Sequence, residues 1–158
     1  MRVTAELGII WGGRVIIDGV RRKVRRTGDG WYVVSHGSSG MHGRIRNRAA
    51  ADIIEIRSPM GDLTIEFHME GTAFKWNGRQ YQVASMNSGD VFVTADAMPA
   101  LRGTFTMSGV RLELLDSALM PIAAELAFGF ALRRSYLGRE WRREQRGQHA
   151  PSGPGFPP

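Results

Sequence analysis

Hydrophobic and polar residues alternate along most of the chain between residues 3 and 115. Leu63, Ile65 and Phe67, for example, share one face of a short segment, while polar side chains fill the positions between them. A period of two places one face of a strand on a core and the other in water, which is typical of antiparallel sheet. The pattern therefore predicts a mainly β fold.

Turn residues divide this region into twelve candidate strands. Asn77-Gly78 is the clearest hairpin signal, because a two-residue type I′ turn requires positive φ at both positions. Short strands at this spacing predict an antiparallel closed barrel or strongly curved sheet of about 11–12 strands. The candidate strands are Val3–Trp11, Arg14–Asp18, Val20–Arg26, Trp31–Val34, Gly43–Arg46, Asp52–Arg57, Leu63–Met69, Thr72–Trp76, Arg79–Ser85, Val91–Ala95, Leu101–Met107 and Val110–Leu115.

The period changes after residue 115. Helix formers occupy residues 117–137, with Asp116 or Ser117 as the candidate N-cap and Pro121 compatible only with the first turn. Residues 118–132 are apolar on every side except at Glu125. A helix of this kind must be enclosed by protein or by lipid, because a surface helix has only an apolar stripe.

Enclosure by the sheet is the better explanation. A spanning helix needs about 20 apolar residues, and a carboxylate such as Glu125 is costly at the centre of a bilayer. Barrels of about eleven strands can hold a central helix, and the one-sided sheet needs an apolar cover. We therefore expect helix 117–137 inside the barrel. A membrane anchor spanning 114–132 and a helix packed outside the barrel are the alternatives.

Composition bounds the domain organisation and the chemistry. The length suits one domain, predicted at residues 1–146, and the Gly/Pro-rich residues 147–158 are predicted to be disordered. The absence of Cys excludes a disulfide scaffold, a thiolate zinc site and a Cys nucleophile. Residues 1–15 lack a signal-peptide pattern, so we expect a cytoplasmic protein, with peripheral attachment to a membrane as an option.

The net charge of +6 is concentrated in basic clusters. On a strand, Arg21, Lys23 and Arg25 point to one face at intervals of about 6.6–6.8 Å, a spacing that suits phosphates. Two further features extend this candidate anion- or lipid-binding site. They are the run Arg44, Arg46 and Arg48, which repeats the same parity, and Trp141, which lies among arginines like an interfacial anchor. The alternative is a solvated outer face that keeps strand edges unpaired.

The serial short strands up to Leu115 and the apolar helix, with its Leu-Met-Pro-Ile-Ala-Ala core and its Arg133-Arg134 end, resemble the tubby C-terminal-like superfamily. That superfamily includes the LURP-one-related proteins and the phospholipid scramblases. The resemblance covers about residues 3–140 and is architectural. It implies a twelve-stranded barrel around a hydrophobic helix and a non-enzymatic domain, some relatives of which bind phosphoinositides or membranes. The Cys-rich segment of scramblases has no counterpart.

Other candidate residues have simpler interpretations. The loop His36–Gly40 lacks a Walker lysine and is interpreted as a turn, and the row Glu66, His68 and Glu70 as an exposed polar face. Glu125 is predicted to meet a partner such as Arg22, to reach a gap or to stay protonated. Trp11, Trp31 and Trp76 are predicted in the core or at the barrel rim.

The predicted function is a non-enzymatic domain without metal or cofactor that binds an anionic phospholipid or a membrane surface. A protein partner cannot be identified from the residues. A nucleic-acid-binding barrel is the weaker alternative, because exposed aromatic residues for base stacking are not interleaved with the bases.

Overall fold

Twelve antiparallel strands close into a barrel, which confirms the fold predicted from the alternating pattern. The structure is a computed structural model that describes residues 1–8, 14–35, 40–48, 51–68, 73–87, 89–107 and 109–134. Each strand pairs with its neighbours in sequence, and β1 closes the barrel on β12. The strands are β1 (Arg2–Gly8), β2 (Arg14–Ile17), β3 (Val20–Arg26), β4 (Tyr32–Val34), β5 (Met41–Arg48), β6 (Ala51–Ser58), β7 (Gly61–His68), β8 (Ala73–Trp76), β9 (Arg79–Met86), β10 (Asp90–Ala95), β11 (Met98–Phe105) and β12 (Gly109–Leu114).

The connections between strands alternate between the two ends of the barrel, because successive strands are antiparallel neighbours. We call the end that holds the β2–β3, β6–β7 and β10–β11 turns the basal end, and the opposite end the apical end. Asn77 and Gly78 join β8 to β9 at the basal end with φ of 50° and 77°. These values confirm the hairpin turn predicted from the Asn-Gly pair.

A helix leaves the basal end of β12 and fills the barrel. It begins with a 3₁₀ turn (Ser117–Ile122) and continues as an α-helix, α1, over 123–134. Asp116 is the N-cap, since its Oδ1 accepts a hydrogen bond of 3.0 Å from the Ala118 amide. Pro121 lies inside the 3₁₀ turn. Its missing N–H is tolerated there, because the first N–H groups of a helix have no partner within the helix.

The enclosed position predicted for the helix is confirmed, and the outside position is wrong. Leu126, Phe128 and Phe130 of α1 are fully buried and belong to one core with the inward side chains of the strands. The segment 114–132 is divided between the end of β12, the 3₁₀ turn and α1. Among the described residues, no helix combines the length and the apolarity needed to cross a membrane.

Two glycines let α1 approach the wall closely. A Cβ at Gly43 in β5 would lie 2.5 Å from the ring of Phe128 and 2.8 Å from Leu132. On the helix, a Cβ at Gly129 would lie 3.1 Å from Ile65. Because Gly43 has no room for another carbon and Gly129 has little, the wall and the helix restrict each other's position.

We expect Gly43→Ala to destabilise the barrel by about 1–3 kcal/mol, because the added methyl group overpacks the contact between β5 and α1. Gly28→Ala is the matched control, since a Cβ there has nothing within 4 Å. Urea denaturation monitored by circular dichroism measures both variants. Equal stability of the two variants would contradict the close contact at Gly43.

Candidate functional site

An unpaired basic strip runs along the outside of β2 and β3. Arg21, Lys23 and Arg25 are exposed at alternate positions of β3, as their spacing predicts. Arg14 of β2 is exposed and lies opposite Lys23 in the register. Within the described part of the chain, none of these four side chains forms an ion pair or a hydrogen bond. We call these four residues the basic strip.

A second row of bases crosses the neighbouring strands. Because β4 separates β3 from β5, Arg25 lies beside Val33, which lies beside His42 and then Arg57. Arg25, His42 and Arg57 are exposed on this row. Exposed basic side chains therefore also lie beside Arg25 on β5 and β6, although Arg57 stacks on Trp31 and is not part of the basic strip.

Arg44 and Arg46 are not unpaired bases like those of the basic strip, because both form ion pairs with the carboxylate of Glu55. Arg44 Nη2 and Arg46 Nη1 each lie 3.1 Å from a Glu55 oxygen. Burial alone would raise the pKa of Glu55, but hydrogen bonds from Arg46 and Arg44 outweigh it and hold the pKa below its ordinary value. Arg48 belongs to β5 with an undescribed side chain, and Trp141 lies outside the described residues.

Trp31 fastens the β3–β4 turn to the outer wall of the barrel. Its side chain is only 7% exposed, yet it is not part of the core around α1. The guanidinium carbons of Arg44 and Arg57 lie 4.3 and 4.7 Å from the centre of its ring system. Thr27 closes the turn by accepting a hydrogen bond of 3.1 Å from the Trp31 amide. Stacked arginines thus cover Trp31, which is buried at the apical end of the barrel, in agreement with its predicted place in the core or at the rim.

A polar cluster holds the start of the helix at the basal end. Asp116 receives a hydrogen bond of 2.9 Å from the Tyr81 hydroxyl and an ion pair of 2.9 Å from Arg79. Arg79 Nε also lies 3.5 Å from Asp96. Burial and then the hydrogen bond to Asp116 raise the pKa of Tyr81 to about 12. The carboxylate that caps the helix is therefore tied to β9 as well.

The phenol of Tyr81 is expected to titrate at about pH 12, two units above the ordinary value of 10.0. Since folding favours the neutral phenol, its contribution to stability is complete below about pH 10 and is lost as pH rises towards 12. Tyrosinate absorbance against pH measures this, and Tyr81→Phe should remove the late step. Ionisation of every tyrosine near pH 10 in the folded protein would contradict the contact.

Arginines close the apical end around the last turn of α1. The Arg133 guanidinium carbon lies 4.1 Å from the centre of the Phe67 ring, and its Nε lies 3.9 Å from Asp52. Burial lowers the pKa of Arg133, and Asp52 opposes that shift. Arg134 donates a hydrogen bond of 3.0 Å to the Thr106 carbonyl. The basic end of the helix is thus a polar seal on the core.

Glu125 lies inside the barrel without a partner in the described structure. It is 8% exposed and forms no hydrogen bond or ion pair there, and its carboxylate oxygens are not among the buried polar atoms that lack a partner, so they reach solvent. Arg22, one partner considered for it, shares the inward parity of Val24 and has a buried Nε that lacks a hydrogen bond. Of the alternatives given for Glu125, the contact with Arg22 is not formed, and an opening to solvent is the one that the structure supports.

Replacement of the carboxylate by an apolar side chain should change the stability of the fold only slightly. We expect Glu125→Leu to change the free energy of unfolding by less than about 1 kcal/mol, because the carboxylate oxygens reach solvent and keep most of their hydration. Glu125→Gln, which keeps the size and the polarity, should have a smaller effect. Urea midpoints at neutral pH give the comparison. A loss of stability in both variants would reveal a stabilising role for the carboxylate.

The remaining candidates form no metal-binding group among the described residues. Residues 36–39 of the His36–Gly40 loop, Glu70 and Trp11 lie outside the described residues. No group of three metal-binding side chains occurs in the part of the chain that is described. Trp76 packs against the core, and its buried indole N–H lacks a hydrogen-bond partner.

Comparison with known proteins adds no information on function. No protein-family model, no curated protein and no solved structure matches the chain. The site must therefore be judged from its own charges and contacts.

Sequence reasoning found Arg21, Lys23 and Arg25 of the basic strip but missed Arg14 and two side-chain clusters. The Trp31–Arg44–Arg57 stack joins the β3–β4 turn to β5 and β6, and the Tyr81–Asp116 contact joins residues 35 positions apart. Arg79, Tyr81 and Asp116 have no local motif in common, so no short-range signal indicates the contact.

Proposed function

We propose that this chain is a non-enzymatic domain that binds membranes containing anionic phospholipids through the basic strip. The observation that carries the proposal is the set of four exposed bases, Arg14, Arg21, Lys23 and Arg25, with no acidic partner in the described structure. A base near an anionic membrane contributes about 1 kcal/mol of attraction. Several such bases give measurable and salt-sensitive binding.

The contrast with the neighbouring arginines supports this assignment. Arg44 and Arg46 have a carboxylate partner in Glu55, so part of their charge is already neutralised. In the basic strip, the residue opposite Arg21 on β2 is Ile16 and the residue opposite Lys23 is Arg14, so neither base faces a carboxylate on that strand. Like charges placed side by side destabilise a sheet unless an external anion compensates them. An anionic ligand is the simplest compensation.

The resemblance to the tubby C-terminal-like superfamily is compatible with this proposal and stays a prediction. The closed twelve-stranded barrel around a helix is the architecture that the resemblance implies. A non-enzymatic role and a cytoplasmic location remain predictions as well.

Neutralisation of the strip tests the proposal. The triple variant Arg21→Gln, Lys23→Gln and Arg25→Gln should bind phosphatidylglycerol-containing vesicles roughly 100-fold more weakly at low salt, which corresponds to about 3 kcal/mol. Cosedimentation with vesicles at low and high salt measures the affinity. High salt should also release the unmodified chain, because exposed charges are screened.

The matched control neutralises three exposed bases elsewhere on the barrel: Lys75→Gln, Arg102→Gln and Arg111→Gln. It removes the same total charge, so it should retain most of the binding if position matters. If both triple variants lost vesicle binding equally, net charge alone would explain the binding, and the proposed site would be overturned. Tighter binding to duplex DNA than to vesicles in the same buffer would favour the nucleic-acid alternative instead.

A further inference from the structure

The exposed apolar side chains of the described structure are concentrated at the basal end. Among the described residues seven large apolar side chains are exposed, and only Met107 of these lies at the apical end, where residues 9–13, 69–72 and those after 134 are not described. The other six are between 40% and 63% exposed and stand on basal turns, on strand ends or on the 3₁₀ turn. We call these six residues the methionine rim: Met1, Val20, Met60, Met98, Leu115 and Met120.

Strand parity shows why the rim is unusual. Val20 continues the inward row of Arg22 and Val24, and Met1 continues the inward row of Val3 and Ala5. The apolar interior thus extends past the basal ends of these strands into solvent. At the apical end, in contrast, Arg133 and Arg134 cover the core with charge. Several large exposed apolar side chains at one end of a domain favour an interaction site at that end.

Three carboxylates at the basal end are engaged by donors. Asp18 accepts a hydrogen bond of 3.2 Å from the Thr4 amide. Asp96 and Asp116 both lie within ion-pair distance of Arg79. These three acids therefore oppose a negatively charged surface less than free carboxylates would, whereas Asp62 and Glu113 form no hydrogen bond or ion pair in the described structure.

Unpaired bases stand directly beside the rim. Arg2 follows Met1 and Arg21 follows Val20, and both arginines are exposed without an ion pair in the described structure. Each of these apolar side chains is followed in sequence by a base. In an anionic membrane the acyl chains lie beneath the phosphate groups, so the apolar side chain can contact the acyl chains while the base contacts phosphate. The basic strip begins at the same corner of the barrel, at Arg21.

We propose that the methionine rim inserts into the outer layer of an anionic membrane, with the basal end of the barrel facing the bilayer. This inference rests on the proposed membrane function and adds the orientation and the apolar contact. Separate tips on different turns suit a fluid interface, because unbranched methionine side chains adapt to irregular surroundings. Arg2 and Arg21, the bases beside the rim, provide the salt-sensitive attraction nearest the bilayer, because Arg25 lies about 13 Å further along β3 towards the apical end. The rim provides attraction that salt does not screen.

The absence of cysteine makes a direct test of the orientation simple. Single-cysteine variants Met60→Cys and Met98→Cys carry a polarity-sensitive fluorophore at the rim. Met107→Cys, whose native side chain is 99% exposed at the apical end, is the control. On addition of phosphatidylglycerol-containing vesicles, the two rim labels should shift to the blue and be quenched by spin-labelled acyl chains. The Met107 label should remain unchanged.

A pair of substitutions separates the rim from the strip. Met60→Gln with Met98→Gln should weaken vesicle binding roughly tenfold, because less apolar area enters the membrane, while the salt dependence is retained. Met107→Gln should bind like the unmodified chain. The strip triple should instead lose the salt dependence.

The outcomes distinguish the inference from the function on which it rests. If the unmodified chain does not bind anionic vesicles, the proposed function fails, and the inference fails with it. If the chain binds but the rim labels stay in water, the inference alone is overturned. A rim variant that changes the oligomeric state in solution without changing vesicle binding would assign the rim to a contact between copies, which also overturns it.

Discussion

Enclosure of a wholly apolar helix is the constraint on which this structure depends. Neither part is stable by itself in water: α1 would expose Leu126, Phe128 and Phe130, and the barrel would surround an empty apolar space. Twelve strands provide an interior wide enough for a helix, which a small barrel does not. The close contacts at Gly43 and Gly129 then determine how the helix sits against β5 to β7.

Both ends of the helix need polar partners. The terminal N–H and C=O groups lack hydrogen bonds within the helix, and the neighbouring charged residues lie where the core ends. At the basal end Asp116 caps the helix and is held by Tyr81 and Arg79. At the apical end Arg133 and Arg134 cover the core through Phe67 and the Thr106 carbonyl. Residues 116–134 therefore provide both the centre of the core and the polar side chains that cover its two ends.

The outer surface is divided by what each arginine contacts. Arg44 and Arg57 stack on Trp31, and Arg44 and Arg46 share Glu55, so these residues contribute to the barrel wall itself. The basic strip on β2 and β3 has no such internal partner in the described structure. Arg21, its basal residue, lies next to the exposed tips of the basal end, so that surface has an electrostatic component and an apolar component. Their combination, rather than net charge, is the basis of the proposed membrane contact.

The sequence by itself determined the strands, the hairpin turn at Asn77-Gly78, the cap at Asp116 and the enclosed helix, because each depends on local propensity or on a period of two or 3.6. The outward row Arg21, Lys23 and Arg25 was predictable for the same reason. Closure of β1 on β12, the stacking of Arg44 and Arg57 on Trp31, and the separation of Arg22 from Glu125 were decided by the tertiary structure. So was the gathering of the rim residues from distant turns at one end of the barrel. These features depend on the register and on the order of strands around the barrel, which bring distant residues together in ways that local periodicity does not encode.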